Sequence, residues 1–302
     1  MGLDRLIVII VVAVIACGSR AVNVSFDKNY HVTWGNYHVK YVNQGTEIDV
    51  SMDKASGAGF ESKVEYASGF FQIKMKLPQK DFSGVVVDFY LTSDIDNKGG
   101  NHDELDFEFL GSDGPPFTLQ TNVFANDGGG REQRIHLWFD PTSGFHTYGI
   151  LWNQHQIVFY VDDTPIRVFK NNTDIGVSYP SQQLVVQGSI WNGEAWASGG
   201  KKIDWSKAPF VASYQGFDVT ACQFQGTANK NVCYISNSTQ WWNGDKYLQL
   251  DPYQNQALQR TRTQYMYEDY CTSKTASMHK ECSINNSTHG WVEEVGRRQM
   301  FL

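Results

Sequence analysis

Asn101-His102-Asp103-Glu104-Leu105-Asp106-Phe107-Glu108-Phe109-Leu110-Gly111 alternates acidic and apolar residues without a break from Glu104 to Phe109. An extended chain turns successive side chains to opposite faces. Glu104, Asp106 and Glu108 therefore share one face, and Leu105, Phe107 and Phe109 the other. The apolar row suits a core and leaves the acidic row on an open surface. An amphipathic strand with a solvated acidic face is the plain alternative. Three like charges on one face repel, however, and solvent exposure alone does not call for them. A calcium site is a third possibility, because carboxylates are hard oxygen ligands, but the stretch lacks the glycine-bearing loop of an EF-hand.

The spacing suggests chemistry. Residues four apart on a strand have Cα atoms roughly 13 Å apart. Two Glu side chains leaning together on a concave sheet bring their carboxylates to roughly 5–6 Å, near the roughly 5–5.5 Å of a retaining glycosidase. One carboxylate then attacks the anomeric carbon while the other protonates the leaving oxygen. Asp106 between them can hydrogen-bond a neighbour. Its charge also opposes ionisation of the others, which helps keep one acid protonated near neutral pH.

Outward from this stretch, the chain up to about residue 210 reads as short strands between turn signals. Period-two patterning or β-rich runs predict strands at 37–42, 46–52, 69–77, 85–92, 117–124, 131–138, 146–152, 156–161, 165–169 and 183–191. Pro78, Gly84, Gly99-Gly100 and Gly114-Pro115-Pro116 punctuate them, and Asp162-Asp163 reads as a tight hairpin turn. No βαβ alternation appears, so an all-β sandwich of two antiparallel sheets is predicted. One concave face would form an open substrate groove. A groove admits a polymer mid-chain, which implies endo-action. Between Pro209 and Gln225 the composition shifts toward Asn, Gln, Tyr and Cys. Asp251 is placed to cap a helix that begins at Pro252, in a stretch of helical composition running to Asp269.

Charged residues make up 19% of the 302-residue chain and aromatics 14%, a share that suits stacking on sugar rings. The net charge of -7 argues against nucleic acid or an anionic membrane as partner; a neutral polymer fits better. Residues 1–21 read as a secretory signal. Arg5 precedes the apolar run Leu6 to Ala16, too short for a membrane span, and Ser19 and Ala21 form a small-x-small cleavage site. An N-terminal anchor is the alternative, and Val14-Ile15-Ala16-Cys17 also has the look of a lipoprotein box. Once Cys17 leaves with the signal, Cys222, Cys233, Cys271 and Cys282 remain, which permits three disulfide pairings. No CxxC spacing points to zinc. Sequons stand at Asn23, Asn171, Asn237, Asn285 and Asn286.

The run His102 to Gly111 resembles the active-site strand of the plant xyloglucan endotransglucosylase/hydrolases of glycoside hydrolase family 16. The likeness continues through Leu119 to Val123, Ile150 to Asn153, Ile157 to Asp162 and Asp204 to Phe210, and covers most of residues 25–285. It implies a β-jelly-roll catalytic domain over 22–210 and an extension over 211–285 that adds a strand and a helix and lengthens the groove on one side, followed by a tail over 286–302. It implies Glu104 as nucleophile, Glu108 as general acid/base and Asp106 as helper, with no metal and no cofactor. It pairs Cys222 with Cys233 and Cys271 with Cys282. It also places Gln120, Asn122, Trp191, Asn192, Trp196, Gly200 and His102 on the substrate side, with His102, just before the first Glu, orienting the neighbouring strand. Tyr265 or Tyr267 would line the acceptor side. For Gln120 and Asn122 the alternative is a solvated polar pair, and for the Trp residues core packing. The sequence lacks the sequon usual after the active-site strand. The loop Trp196 to Trp205 is short, which leans toward transfer over hydrolysis, and no Arg stands between Cys271 and Cys282. The expectation is therefore a secreted, monomeric cell-wall enzyme. It would take a xyloglucan donor and a xyloglucan acceptor, and it would associate with neither nucleic acid nor, once the signal is removed, membrane. A glucan hydrolase of the same fold and a non-catalytic carbohydrate-binding sandwich are the competing readings.

Overall fold

The computed structural model describes residues 24–79, 81–94, 100–237 and 239–284. The signal segment, the tail over 286–302 and the sequons at Asn23, Asn285 and Asn286 lie outside the described residues. The acidic-apolar stretch forms the strand His102–Leu110, fifth in an eight-stranded antiparallel sheet. In spatial order this groove sheet runs Tyr30–Trp34, Ala58–Ser62, Val185–Asn192, Val85–Thr92, His102–Leu110, Thr118–Asp127, Gln133–His136 and Met266–Asp269. The second sheet runs Thr164–Lys170, Gln156–Val161, His146–Trp152, Tyr66–Lys76, Phe210–Gln215, Glu47–Met52 and Val39–Val42, with Thr220–Gln223 also paired to Tyr66–Lys76. The predicted sandwich of two antiparallel sheets is what forms.

The core between the sheets fixes which way the central strand faces. Leu105, Phe107 and Phe109 are wholly buried. Phe107 meets Tyr148 and Phe159 of the opposite sheet edge-on, with ring centroids 5.8 and 5.2 Å apart. Phe109 meets Tyr148 at 4.7 Å. Each such side chain stabilises the fold by roughly 1.5–3 kcal/mol through burial alone. A slip of one residue would drive three carboxylates into that core, so the register is strongly enforced.

Strands at 85–92, 146–152 and 156–161 fall where the pattern puts them. Four strands have no counterpart in the sequence reading, Tyr30–Trp34, Ala58–Ser62, Phe210–Gln215 and Thr220–Gln223, while Met266–Asp269 is a strand of the extension, where the resemblance implies one without placing it. Ala58–Ser62 is buried along nearly its whole length, so alternation is erased. Gly59 is needed there because the Trp34 indole lies on it; a Cβ would come within 2.3 Å of Trp34 Nε1. Asp162 supplies the left-handed residue of its hairpin, φ 52°, and its carboxylate accepts from the Thr147 amide at 3.0 Å.

Between Trp241 and Leu258 the chain packs on the outer face of the second sheet. Trp242 and Leu258 bury against Leu151 and Val158 in a satellite core. Asn153 Nδ2 donates to the carbonyls of Trp242 and Tyr247 at 2.8 and 3.1 Å. The helix is Pro252–Gln264, opened by Asp251 and Gln254 in a reciprocal cap with Pro252 in its first turn. It stops short of Asp269, and Met266–Asp269 instead pairs with Gln133–His136. The free edge of the groove sheet offers backbone partners there, and composition cannot reveal them. The disulfides are Cys222–Cys233 and Cys271–Cys282.

Candidate active site

Glu104, Asp106 and Glu108 project from one face of their strand into an open groove of about 1020 Å³. Neighbouring strands set the partners in register. Across one cross-strand row stand Ser189, Asp88, Glu108, Gln120, Arg134 and Glu268. Along the next stand Gln187, Tyr90, Asp106 and Asn122. The groove therefore runs across the strands, from Trp34 at one edge toward Arg134 at the other.

Each acid has a different environment. Burial pushes the Glu108 carboxyl up to about 7, against the Gln120 amide, which donates to it; the charges of Glu104 and Glu132 push up too, and the Arg134 cation pulls down. Asp106 is only 5% exposed. Burial first, then the charges of Glu104 and Glu108 and a hydrogen bond with Glu104, hold it well above the usual carboxylate range. Glu104 faces His102, whose Nε2 lies 3.5 Å from the carboxylate and whose Nδ1 lies 2.7 Å from the Gly100 carbonyl. The hydrogen bond to Glu104 raises the imidazole to about 9, so His102 is cationic at neutral pH. The ring is held in place by stacking on Phe124 at 4.7 Å.

Of the sequence-predicted binding residues, Gln120, Asn122, Trp191, Trp196 and His102 line the groove with the acids. Gln120 does not present a free amide: its Nε2 faces Glu108 and its Oε1 accepts from Arg134 Nε at 2.6 Å. Asn122 Oδ1 accepts from the amides of Val123 and Arg131 at 2.9 and 3.0 Å. Trp191 and Trp196 sit with ring centroids 6.1 Å apart on one wall. Asn192, Gly200, Tyr265 and Tyr267 are not among the residues that line this groove. The Asn192 side chain turns back to accept from the Glu194 amide at 3.0 Å. Tyr265 packs against Trp138 and the core, at 5.3 Å between rings. Tyr267 is the exposed one of the two; it stacks on His136 at 4.1 Å and its hydroxyl lies 3.1 Å from Thr118 Oγ1. The sequon residue Asn171 uses its side chain to cap the loop after Lys170, donating to the Gln154 carbonyl at 2.7 Å. Asn237 Oδ1 accepts from the amides of Thr239 and Gln240.

The comparisons with known proteins bear on this geometry. Residues 26–207 match the family model described as Glycosyl hydrolases family 16. The chain belongs to that family. Within it, the chain is 54% identical over 255 residues, 83% of this chain and 85% of the relative, to xyloglucan endotransglucosylase/hydrolase protein 2 of Arabidopsis thaliana. It is 47% identical over 257 residues, 84% of this chain and 86% of the relative, to xyloglucan endotransglucosylase/hydrolase protein A of Phaseolus angularis. The fold is shared with a Bacillus licheniformis β-glucanase at TM-score 0.51, 23% identity, 62% of this chain and 89% of that one. It is shared too with the Crh5 transglycosylase at TM-score 0.51, 24% identity, 64% of this chain and 80% of that one. The family 16 jelly roll is thus the catalytic scaffold here, and the strand Met266–Asp269 joins its sheet from outside the matched span.

Among the groove residues of this family 16 chain that the sequence reading did not name are Asp88, Trp34 and Arg134. Asp88 is 5% exposed and accepts from the Ser189 hydroxyl and the Trp191 indole N–H, both at 2.8 Å. Burial raises it to about 7, while those two donors pull it down. Its other oxygen, Oδ1, has no hydrogen-bond partner among the described residues. It sits in an apolar run, Val85-Val86-Val87-Asp88-Phe89, and a lone acid in such a run is the one signal that could have found it. Trp34 lies over Gly59 of the strand Ala58–Ser62, two strands from Asp88, and is 40% exposed where it lines the groove. Arg134 gave no signal in isolation, because its role depends on register. Among the described residues no cluster of His, Cys, Asp and Glu has the geometry of a metal site, and no helix is long and apolar enough to cross a membrane.

Proposed function

We propose that the protein cleaves the β-1,4-glucan backbone of xyloglucan with retention and transfers the glycosyl group to a second xyloglucan chain. The observation that carries this is the acidic row itself: two glutamates and a buried aspartate on the groove side of one strand, with different partners. Glu104, held by Asp106 and His102, attacks the anomeric carbon. Glu108 protonates the departing glycosidic oxygen, which gives a covalent glycosyl-enzyme. Glu108 then takes the proton from the incoming hydroxyl as that oxygen displaces Glu104. Water in place of the sugar hydroxyl gives hydrolysis. A carboxyl poised near 7 suits a group that must give and regain a proton at neutral pH.

Trp191 and Trp196 offer aromatic faces to pyranose rings on one wall, and Trp34 does so at the far edge. The strand Met266–Asp269 widens the other end of the sheet, which supports acceptor binding there. A well-seated acceptor raises the effective concentration of its hydroxyl over water. The short apolar N-terminal run and the four paired cysteines support secretion, and a cell-wall location follows from the polymer. The working unit is a monomer. Incubation of xyloglucan with a labelled xyloglucan oligosaccharide tests the reading. Label entering the polymer fraction is expected; new reducing ends without label would show a hydrolase, and neither would leave a binding module.

A further inference from the structure

Glu108, Gln120, Arg134 and Glu268 are direct cross-strand neighbours in one row of the groove sheet. Their side chains form a chain of contacts. Gln120 Nε2 donates to Glu108 Oε2. Arg134 Nε donates to Gln120 Oε1 at 2.6 Å, and Arg134 Nη1 donates to Glu268 at 2.7 Å. A guanidinium has only donors, so the Gln120 amide beside it can present only its oxygen. The NH₂ end must then face Glu108. Without Arg134 the amide is free to turn over and offer oxygen to the carboxylate.

We propose that Arg134, anchored by Glu268 of the C-terminal strand, is a positioning residue that locks the Gln120 amide with its N–H toward Glu108. This rests on the assignment of Glu108 as acid/base above. The anchor comes from outside the span that matches family 16, residues 26–207. The extension therefore reaches the reacting carboxylate through two intermediaries. The Arg134–Glu268 pair is partly exposed, 28% and 46%, so its worth to overall stability is small. Its value lies in orientation. The charged and titratable groups facing Glu108 are Glu104 and Asp106 along its own strand, Asp88 across one neighbour, and Glu132 and Arg134 on the other side. Of these only Arg134 favours the anion.

Arg134→Met removes the lock and the cation together. The alkaline limb of kcat/KM for xyloglucan cleavage is expected to move up by about one pH unit, because both losses disfavour the ionised Glu108. kcat is expected to fall about tenfold, a part of the ~10²–10⁴ that an acid/base supplies. Glu268→Ala should lower kcat about threefold, and Glu268→Gln, whose amide oxygen still accepts from the guanidinium, should restore it, with thermal midpoints close to wild type throughout. An unmoved alkaline limb in Arg134→Met, with only the KM for acceptor raised, would reduce Arg134 to a sugar contact and overturn the proposal. Equal activities of Glu268→Ala and Glu268→Gln would remove Glu268 from it. If Arg134→Met loses its cooperative melting transition, Arg134→Lys decides in its place: a smaller upward shift supports the lock, an unmoved limb overturns it. Glu108→Gln is measured alongside, and full activity there would sink the acid/base assignment itself rather than the lock.

Discussion

On one flank of Glu108 stands Asp88, held by the Ser189 hydroxyl and the Trp191 indole; on the other stands Gln120, held by Arg134. Ser189, Asp88, Glu108, Gln120 and Arg134 stand in one cross-strand row, and Trp191 reaches Asp88 from two residues along the Ser189 strand. The first flank adds a buried acid with neutral donors only, which discourages a charge on Glu108. The second adds a donor aimed at the carboxylate and a cation behind it, which encourages one. Burial of Glu108 tips the balance toward the protonated form, up to about 7. The contrast shows how one sheet surface can keep a carboxyl near the point of exchange: opposing neighbours are mounted on opposite strands, each by its own hydrogen bonds.

The largest effect should come from deleting what both flanks serve. Glu108→Gln is expected to lower cleavage and transfer by roughly 10²–10⁴-fold, read as released reducing ends and as label in polymer. Next, Asp88→Asn strips the negative flank while its amide oxygen still accepts from Ser189 and Trp191. The alkaline limb should then move down, opposite in sign to Arg134→Met. A shift of about one unit would appear as about a tenfold loss of kcat/KM above pH 7. If both variants shift the limb the same way, the two-flank account fails. A smaller effect is expected for Trp191→Phe, which removes an indole donor from buried Asp88. Its thermal stability should fall by ~1–3 kcal/mol, and an unchanged melting curve would mean that this bond holds nothing in place.

The smallest effect is a slope. Asp88 and Glu108, both raised to about 7, favour the protonated fold. Their contribution to stability is full below the ordinary carboxylate values of about 4 and is lost as pH rises through 7. His102, raised to about 9, contributes below 6.5 and loses it as pH passes 9. Asp81, lowered to about 2, acts the other way, but only below about pH 4. The melting midpoint should therefore decline from pH 5 to 9, and Asp88→Asn should flatten the first part of that decline.

Much of the site was legible in eleven residues. Alternation alone put Glu104, Asp106 and Glu108 on one side and three apolar side chains on the other, because a strand has a period of two and a core admits no unpaired carboxylate. The capped start of the helix at Asp251 and Pro252 was equally local, since its orphan amides must be met by side chains within three residues. The end of that helix was not, and neither was the strand Met266–Asp269: an open sheet edge more than a hundred residues away claimed it. Ala58–Ser62 was hidden because both its faces are covered. The same reason separates Tyr267 from Tyr265, and Gln120 as a partner of Glu108 from Gln120 as a free amide. Sequence fixes what a residue can donate, accept or bury. Only the pairing of strands decides which donor meets which acceptor, because register joins positions that no local spacing relates.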